Sequence, residues 1–251
     1  MGFSPNFPTF FFLFPSIFFW LSRATTFEII NQCSYTVWAV ALPGGGRQLN
    51  PGETWLLNMA DDTVYCRIWG RTNCIFDETG NGSCETGDCN NQLSCQNYGS
   101  SPVTVAEYEA RYVGVNFYYL SLLDGFNIPM EFKPNNRSCR EIKCTADINR
   151  ECPTVLRTAG GCNHPCTVFK NDFYCCTYGN CTVTDLSNFF MTRCPDAYSF
   201  ALDYSTKFTC ASGSNYGVVF CPLGSSPSLV FPPPPPPHAS FAHMCIRIIM
   251  I

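Results

Sequence analysis

Apolar residues crowd both ends of this chain and recur in short bursts between them. The first crowd, Phe10 to Leu21, is almost unbroken and ends in Ser22-Arg23-Ala24, with small residues at the two positions a signal peptidase reads. It is too short to span a bilayer, which takes about 20 apolar residues. No Lys or Arg precedes it. A leader at 1–24, cut after Ala24, is therefore the expectation, and a membrane anchor the alternative. From Phe27 the bursts are strand-like. Phe27-Glu28-Ile29-Ile30 and Tyr35-Thr36-Val37-Trp38-Ala39-Val40 are rich in aromatic and β-branched residues. Pro43-Gly44-Gly45-Gly46 and Asn50-Pro51-Gly52 supply the backbone angles that reversals need, and strands are predicted again at Thr54 to Leu57 and Thr63 to Trp69. Further β-rich text runs from Val103 to Phe132 and from Tyr198 to Phe220. Many short strands between turns predict a mostly β protein built as a sandwich. One helix stands out, Thr184 to Arg193, where Leu186, Phe189 and Phe190 fall at helical spacing behind a Thr184 or Asp185 cap.

The cysteines change the picture most. Eighteen in 251 residues far exceeds ordinary usage. Zinc sites usually mix close Cys pairs with His, but this chain has three His, two of them (His238, His243) in the tail, so disulfides are favoured and neither metal nor cofactor is expected. From residue 25 to 221 there are 13 basic and 19 acidic residues, a net charge of −6. That balance argues against nucleic acid and suits neutral or cationic ligands such as polysaccharides.

The segment 222–251 stands apart. Six consecutive prolines, Pro232 to Pro237, cannot donate to a sheet and favour an extended polyproline conformation, so this tail is expected outside the core. The apolar end, Phe241 to Ile251, reads either as a removed sorting propeptide or as a wrongly assigned coding end.

Gly80-Asn81-Gly82-Ser83-Cys84-Glu85-Thr86-Gly87-Asp88-Cys89, with Gln92 and Cys95, resembles the signature of the plant thaumatin-like and osmotin-like family. Gly70-Arg71-Thr72-Asn73-Cys74, Asp124-Gly125-Phe126-Asn127-Ile128-Pro129-Met130, Tyr174-Cys175-Cys176-Thr177 and Cys194-Pro195-Asp196-Ala197-Tyr198 resemble family segments in the same order. The resemblance covers about residues 25–222. It implies a β-sandwich with a disulfide-stapled loop lobe near 72–102 and a loop-and-helix lobe near 146–194. It also implies the pairs Cys33–Cys221, Cys74–Cys84, Cys89–Cys95, Cys139–Cys210, Cys144–Cys194, Cys152–Cys162, Cys166–Cys175 and Cys176–Cys181. Cys66 and Cys245 are left over. Cys66 precedes Arg67 in a strand, so the two should face opposite sides of a sheet, and a buried, inert thiol is expected; a Cys66–Cys245 bond is the alternative.

The same resemblance places an arginine and four acids in a cleft. Arg67, Glu107, Asp124 and Asp203 match, while Tyr119 stands where the family has aspartate. A tyrosine there is neutral at pH 7; it offers either a face for stacking on a sugar or a neutral replacement at an exposed position. Glu107 and Asp124 are also the best candidates for the two carboxyl groups that glycoside hydrolysis needs, and an ion-pair cluster tying lobe to sandwich is the structural alternative. Asn81-Gly82-Ser83, Asn136-Arg137-Ser138 and Asn180-Cys181-Thr182 are glycosylation sequons, the third disfavoured by the implied Cys176–Cys181 loop. His164 has no partner ligands nearby in sequence, so a surface or turn role is expected of it.

The resemblance implies a monomeric, secreted antifungal or stress-defence protein that binds β-1,3-glucan or a fungal membrane surface through the acidic cleft and disturbs wall or membrane. A weak endo-β-1,3-glucanase is the alternative, and a storage or sweet protein a third class, with sweetness opposed by the acidic body. The apoplast is the expected location, or the vacuole if the tail is a sorting propeptide.

Overall fold

The computed structural model describes residues 25–224 apart from 61, 111–113 and 180. The leader, the Pro-rich tail with Cys245, and the Asn180 sequon's acceptor lie outside the described residues.

The first half of the chain is sheet: β1 (Thr26–Asn31), β2 (Val37–Leu42), β3 (Gly45–Leu49), β4 (Thr54–Asn58), β5 (Tyr65–Arg71), the small ribbon β6 (Ile75–Phe76) and β7 (Gly82–Ser83), then β8 (Val105–Ala110), β9 (Val115–Ser121), β10 (Met130–Pro134) and β11 (Ile142–Cys144). The second half is mixed: α1 (Ile148–Glu151), β12 (Arg157–Thr158), β13 (Gly161–Cys162), α2 (Pro165–Phe169), α3 (Asp172–Cys175), α4 (Asp185–Arg193), β14 (Ala197–Tyr198), a 3-10 turn at Tyr204–Thr206, β15 (Phe208–Ala211) and β16 (Tyr216–Phe220).

One sheet has the order β11-β10-β16-β1-β4, and the other β14-β9-β8-β5-β2-β3, with β15 also paired to β9. The glycines expected to form only a turn instead open β3, since Gly45 and Gly46 pair with Ala41 and Val40. The two sheets meet through aromatic rings, because alternate residues of a strand face one side. Phe27 of β1 stands edge-on to Tyr108 of β8, centroids 5.3 Å apart, and Phe132 of β10 edge-on to Tyr118 of β9 at 5.6 Å. These rings are buried together with Ile29, Ile68, Leu120, Val218 and Phe220. Cys66 lies in this core fully buried, and burial pushes its thiol up to about 12. It is an inert core residue, as expected.

The far side of the β5 sheet carries a second, smaller core of Val40, Trp69, Cys89, Cys95, Val103 and Val105 beneath the 84–102 segment. Arg71, fully buried, fastens that segment: its guanidinium donates to the carbonyls of Trp38 (3.2 Å), Gln92 (2.7 Å) and Leu93 (2.8 Å). Helix α4 carries a capping box, Thr184 Oγ1 accepting from Ser187 N and Ser187 Oγ from Thr184 N. The short helices α1 to α3 have too few turns to leave a period in the sequence.

Eight disulfides join the same pairs that the resemblance implies. Cys33–Cys221 closes a separation of 188 residues, which restrains the unfolded chain by about 5 kcal/mol in the chain-entropy view.

Candidate functional site

Register assembles the site. Arg67 on β5 lies opposite Glu107 on β8, and Glu107 opposite Tyr119 on β9. Because Cys66, Ala106, Tyr108, Tyr118 and Leu120 point into the sandwich, these three point out, in a row across adjacent strands spaced about 4.8 Å apart. Asp124 joins them from the turn after β9. Gly125 sets that turn, with φ at +91° and a backbone so close to Cys162 O that an added Cβ would stand 2.6 Å from it.

Arg67 is the hub. Its Nη2 reaches Asp124 Oδ2 at 2.5 Å and Glu107 Oε1 at 3.5 Å, and its guanidinium lies 4.6 Å from the centre of the Tyr98 ring. Burial alone would lower its pKa, but the two carboxylates outweigh that and raise it, so the cation is firmly held. Glu107 accepts hydrogen bonds from Tyr65 and, at 3.1 Å, from the Tyr119 hydroxyl, which also lies 2.9 Å from Glu109 Oε1. Burial, then Glu107, raises the pKa of both phenols, so they stay neutral donors.

Exposure corrects the sequence reading. Arg67, Glu107 and Tyr119 are only 8, 7 and 4% exposed. Tyr119 is neither a free stacking face nor an exposed replacement. Its ring packs edge-on against Tyr198, centroids 5.8 Å apart, and Lys207 Nζ lies 4.4 Å from its centre. Asp203 does not pair with Arg67; its Oδ1 caps the 3-10 turn by accepting from Ser205 N and Ser205 Oγ. The accessible parts are the Asp124 carboxylate, with its side chain 36% exposed, and the rings of Tyr98 and Tyr204, 61 and 65% exposed. Gly99, the residue after Tyr98, abuts the Trp69 indole, where a Cβ would come within 2.6 Å of Nε1.

A profile of the thaumatin family matches residues 31–222. The chain belongs to the thaumatin family, a family of defence proteins. A thaumatin-like protein from Actinidia deliciosa is 54% identical over 213 residues, covering 84% of this chain and 95% of that protein. Among solved structures, the thaumatin-like xylanase inhibitor TLXI is 26% identical with a TM-score of 0.48, covering 78% of this chain and 99% of its own. The protein elicitor MoHrip2 from Magnaporthe oryzae is 11% identical with a TM-score of 0.40, covering 79% and 99%.

Other parts of this thaumatin-family domain were missed by the sequence reading. Tyr65 and Glu109 lie two residues from Arg67 and Glu107, so strand alternation alone would have placed them on the same face. Tyr198, Tyr204 and Lys207 arrive from a segment remote in sequence, and no local pattern announces them. His164 has the expected turn role but not a surface one. It is 4% exposed and caps α2, its Nδ1 accepting from Cys166 N while Nε2 meets Ser199 O at 3.2 Å. Among the described residues no group of three or more His, Cys, Asp or Glu is placed to hold a metal ion.

Proposed function

We propose that this thaumatin-family protein is a secreted defence protein that binds neutral β-linked glucan, or a fungal surface presenting it, along the Arg67 row. The observation that carries this reading is the exposed Tyr98 ring over a buried guanidinium, with the half-open Asp124 carboxylate beside it. A flat aromatic face and an accessible acceptor are what a polyhydroxylated ring needs: stacking for its C–H side and a hydrogen-bond acceptor for its hydroxyls. The target's charge also matters, since an acidic body repels anionic surfaces and leaves neutral polysaccharide as the better fit. Family members are generally secreted, and eight disulfides belong in an oxidising compartment. No helix among the described residues is long and apolar enough to cross a membrane.

Retention on insoluble β-1,3-glucan tests the reading. Tyr98→Ala and Asp124→Asn should each weaken retention several-fold while thermal stability changes little for Tyr98→Ala. Unchanged retention in both variants, or none by the wild-type protein, would reject it.

Hydrolysis is the second reading, favoured by one measurement. Glu107 and Asp124 share Arg67 Nη2, so two of their oxygens are at most about 6 Å apart, a bound that admits the separation of retaining glycosidases and not that of inverting ones. Against it, Glu107 is buried, with Tyr65 and Tyr119 on one oxygen and Arg67 near the other. No reducing sugar is therefore expected from laminarin above that of a Glu107→Gln control.

A further inference from the structure

We propose that Asn136 is an N-glycosylation site and that Asn81, although it heads an equally good sequon, is not. The two triplets differ in what their folded surroundings do to the acceptor amide. Asn136 lies in the turn joining β10 to β11. There its Oδ1 accepts from both Ser138 Oγ (2.8 Å) and Ser138 N (3.1 Å), while no bond engages its Nδ2 among the described residues. The sequon hydroxyl thus already points at the amide it has to assist, through contacts two residues apart that need no tertiary structure to form. In Asn81 both ends of the amide are occupied. Nδ2 donates to Thr79 Oγ1 at 2.6 Å and Oδ1 accepts from Gln92 Nε2 at 2.6 Å, and Gly82 packs so tightly in the β6–β7 ribbon that a Cβ would stand 1.9 Å from Ile75 O.

Disulfide order separates them further. Cys84 follows the Asn81 sequon and pairs with Cys74, only ten residues upstream, so that loop can close as soon as it emerges. Cys139 follows the Asn136 sequon and pairs with Cys210, 71 residues downstream, so this segment stays open while the rest of the domain is still being made. The reaction itself is a group transfer. Asn136 Nδ2 forms a bond to the anomeric carbon of an oligosaccharide carried as a lipid pyrophosphate in the secretory pathway; the carbon–oxygen bond to pyrophosphate breaks, and the amide gives up one proton. The modified turn belongs to the sheet opposite the Arg67 row, so a glycan there leaves that row open.

This inference rests on export of the chain. The full chain expressed in a plant or insect secretory host would be recovered from medium and cells, and its mass compared before and after peptide N-glycosidase. Peptide mapping in heavy-oxygen water then marks each deglycosylated Asn. The expected result is one occupied site, Asn136, lost in Asn136→Gln and in Ser138→Ala and retained in Asn81→Gln. Ser138→Ala keeps the asparagine, so loss of the glycan there cannot be ascribed to a missing acceptor. Exported chain with Asn136 bare, or with Asn81 occupied, overturns the assignment while leaving secretion intact; a chain held unmodified in the cytosol overturns both.

Discussion

The ammonium of Lys207 lies 4.4 Å from the centre of the Tyr119 ring, and the hydroxyl of the same ring stands between Glu107 at 3.1 Å and Glu109 at 2.9 Å. One aromatic side chain thus separates two carboxylates and carries a cation on its face. Tyr198 holds Lys207 from a second side at 5.0 Å, and Glu109 lies 3.9 Å from Nζ. Tyr119 is a neutral spacer with Lys207 as a nearby cation, and the row becomes part of the packing between β9 and the Tyr198–Lys207 segment.

That arrangement makes Tyr119 and Lys207 energetically coupled. Tyr119→Phe removes the hydroxyl shared by two carboxylates and should cost about 1–2 kcal/mol in urea denaturation. Lys207→Met should cost about 1 kcal/mol through the lost cation–ring contact. Combined with Tyr119→Leu, which removes the ring itself, Lys207→Met should cost less than it does alone, because the cation then has no ring face to lose. Strict additivity would show that the contact carries no energy. Glucan retention should not change in Tyr119→Phe, since the ring is inaccessible.

Arg71 offers a sharper test of what holds the 84–102 segment. Desolvation lowers its pKa to about 10, the cost of burying a guanidinium among carbonyls, with Asp88 pulling the other way. Replacing it by Met leaves the carbonyls of Gln92 and Leu93 without this donor and should destabilise the protein by about 2–4 kcal/mol. Limited proteolysis should then cut first between residues 84 and 102. An unchanged digestion pattern would mean that Cys74–Cys84 and Cys89–Cys95 suffice.

His164 predicts a pH dependence. Burial lowers its pKa from 6.5, with the Ser199 carbonyl and then Asp124 opposing more weakly. The unfolded chain therefore takes up a proton near pH 6.5 that the folded chain refuses. Its contribution to stability is complete above pH 6.5 and falls as the pH drops from there towards the lower folded value. His164→Asn keeps an acceptor for Cys166 N but cannot titrate, so its melting temperature should decline less than that of the wild-type protein on acidification below pH 6.5. Parallel curves would assign the acid sensitivity to other groups.

What the sequence determined by itself is local or covalent. Strand text such as Phe27–Ile30 and Tyr35–Val40 names β1 and β2 because side-chain branching and alternation act within a few residues. Thr184 caps α4 for the same reason. The alternation of Cys66 with Arg67 separated core from site, and the cysteine spacing of the family carried the whole disulfide pairing with it. The row of Arg67, Glu107 and Tyr119 was legible as residues, but not its environment. Asp203 turns to Ser205 through a local contact, but which rings close over Tyr119, that His164 is buried against Ser199, and that Lys207 lies over the Tyr119 ring are decided by the meeting of segments remote from one another in the sequence. Burial and electrostatic pairing are properties of that meeting, so only the tertiary structure determines which side chains remain open to a ligand.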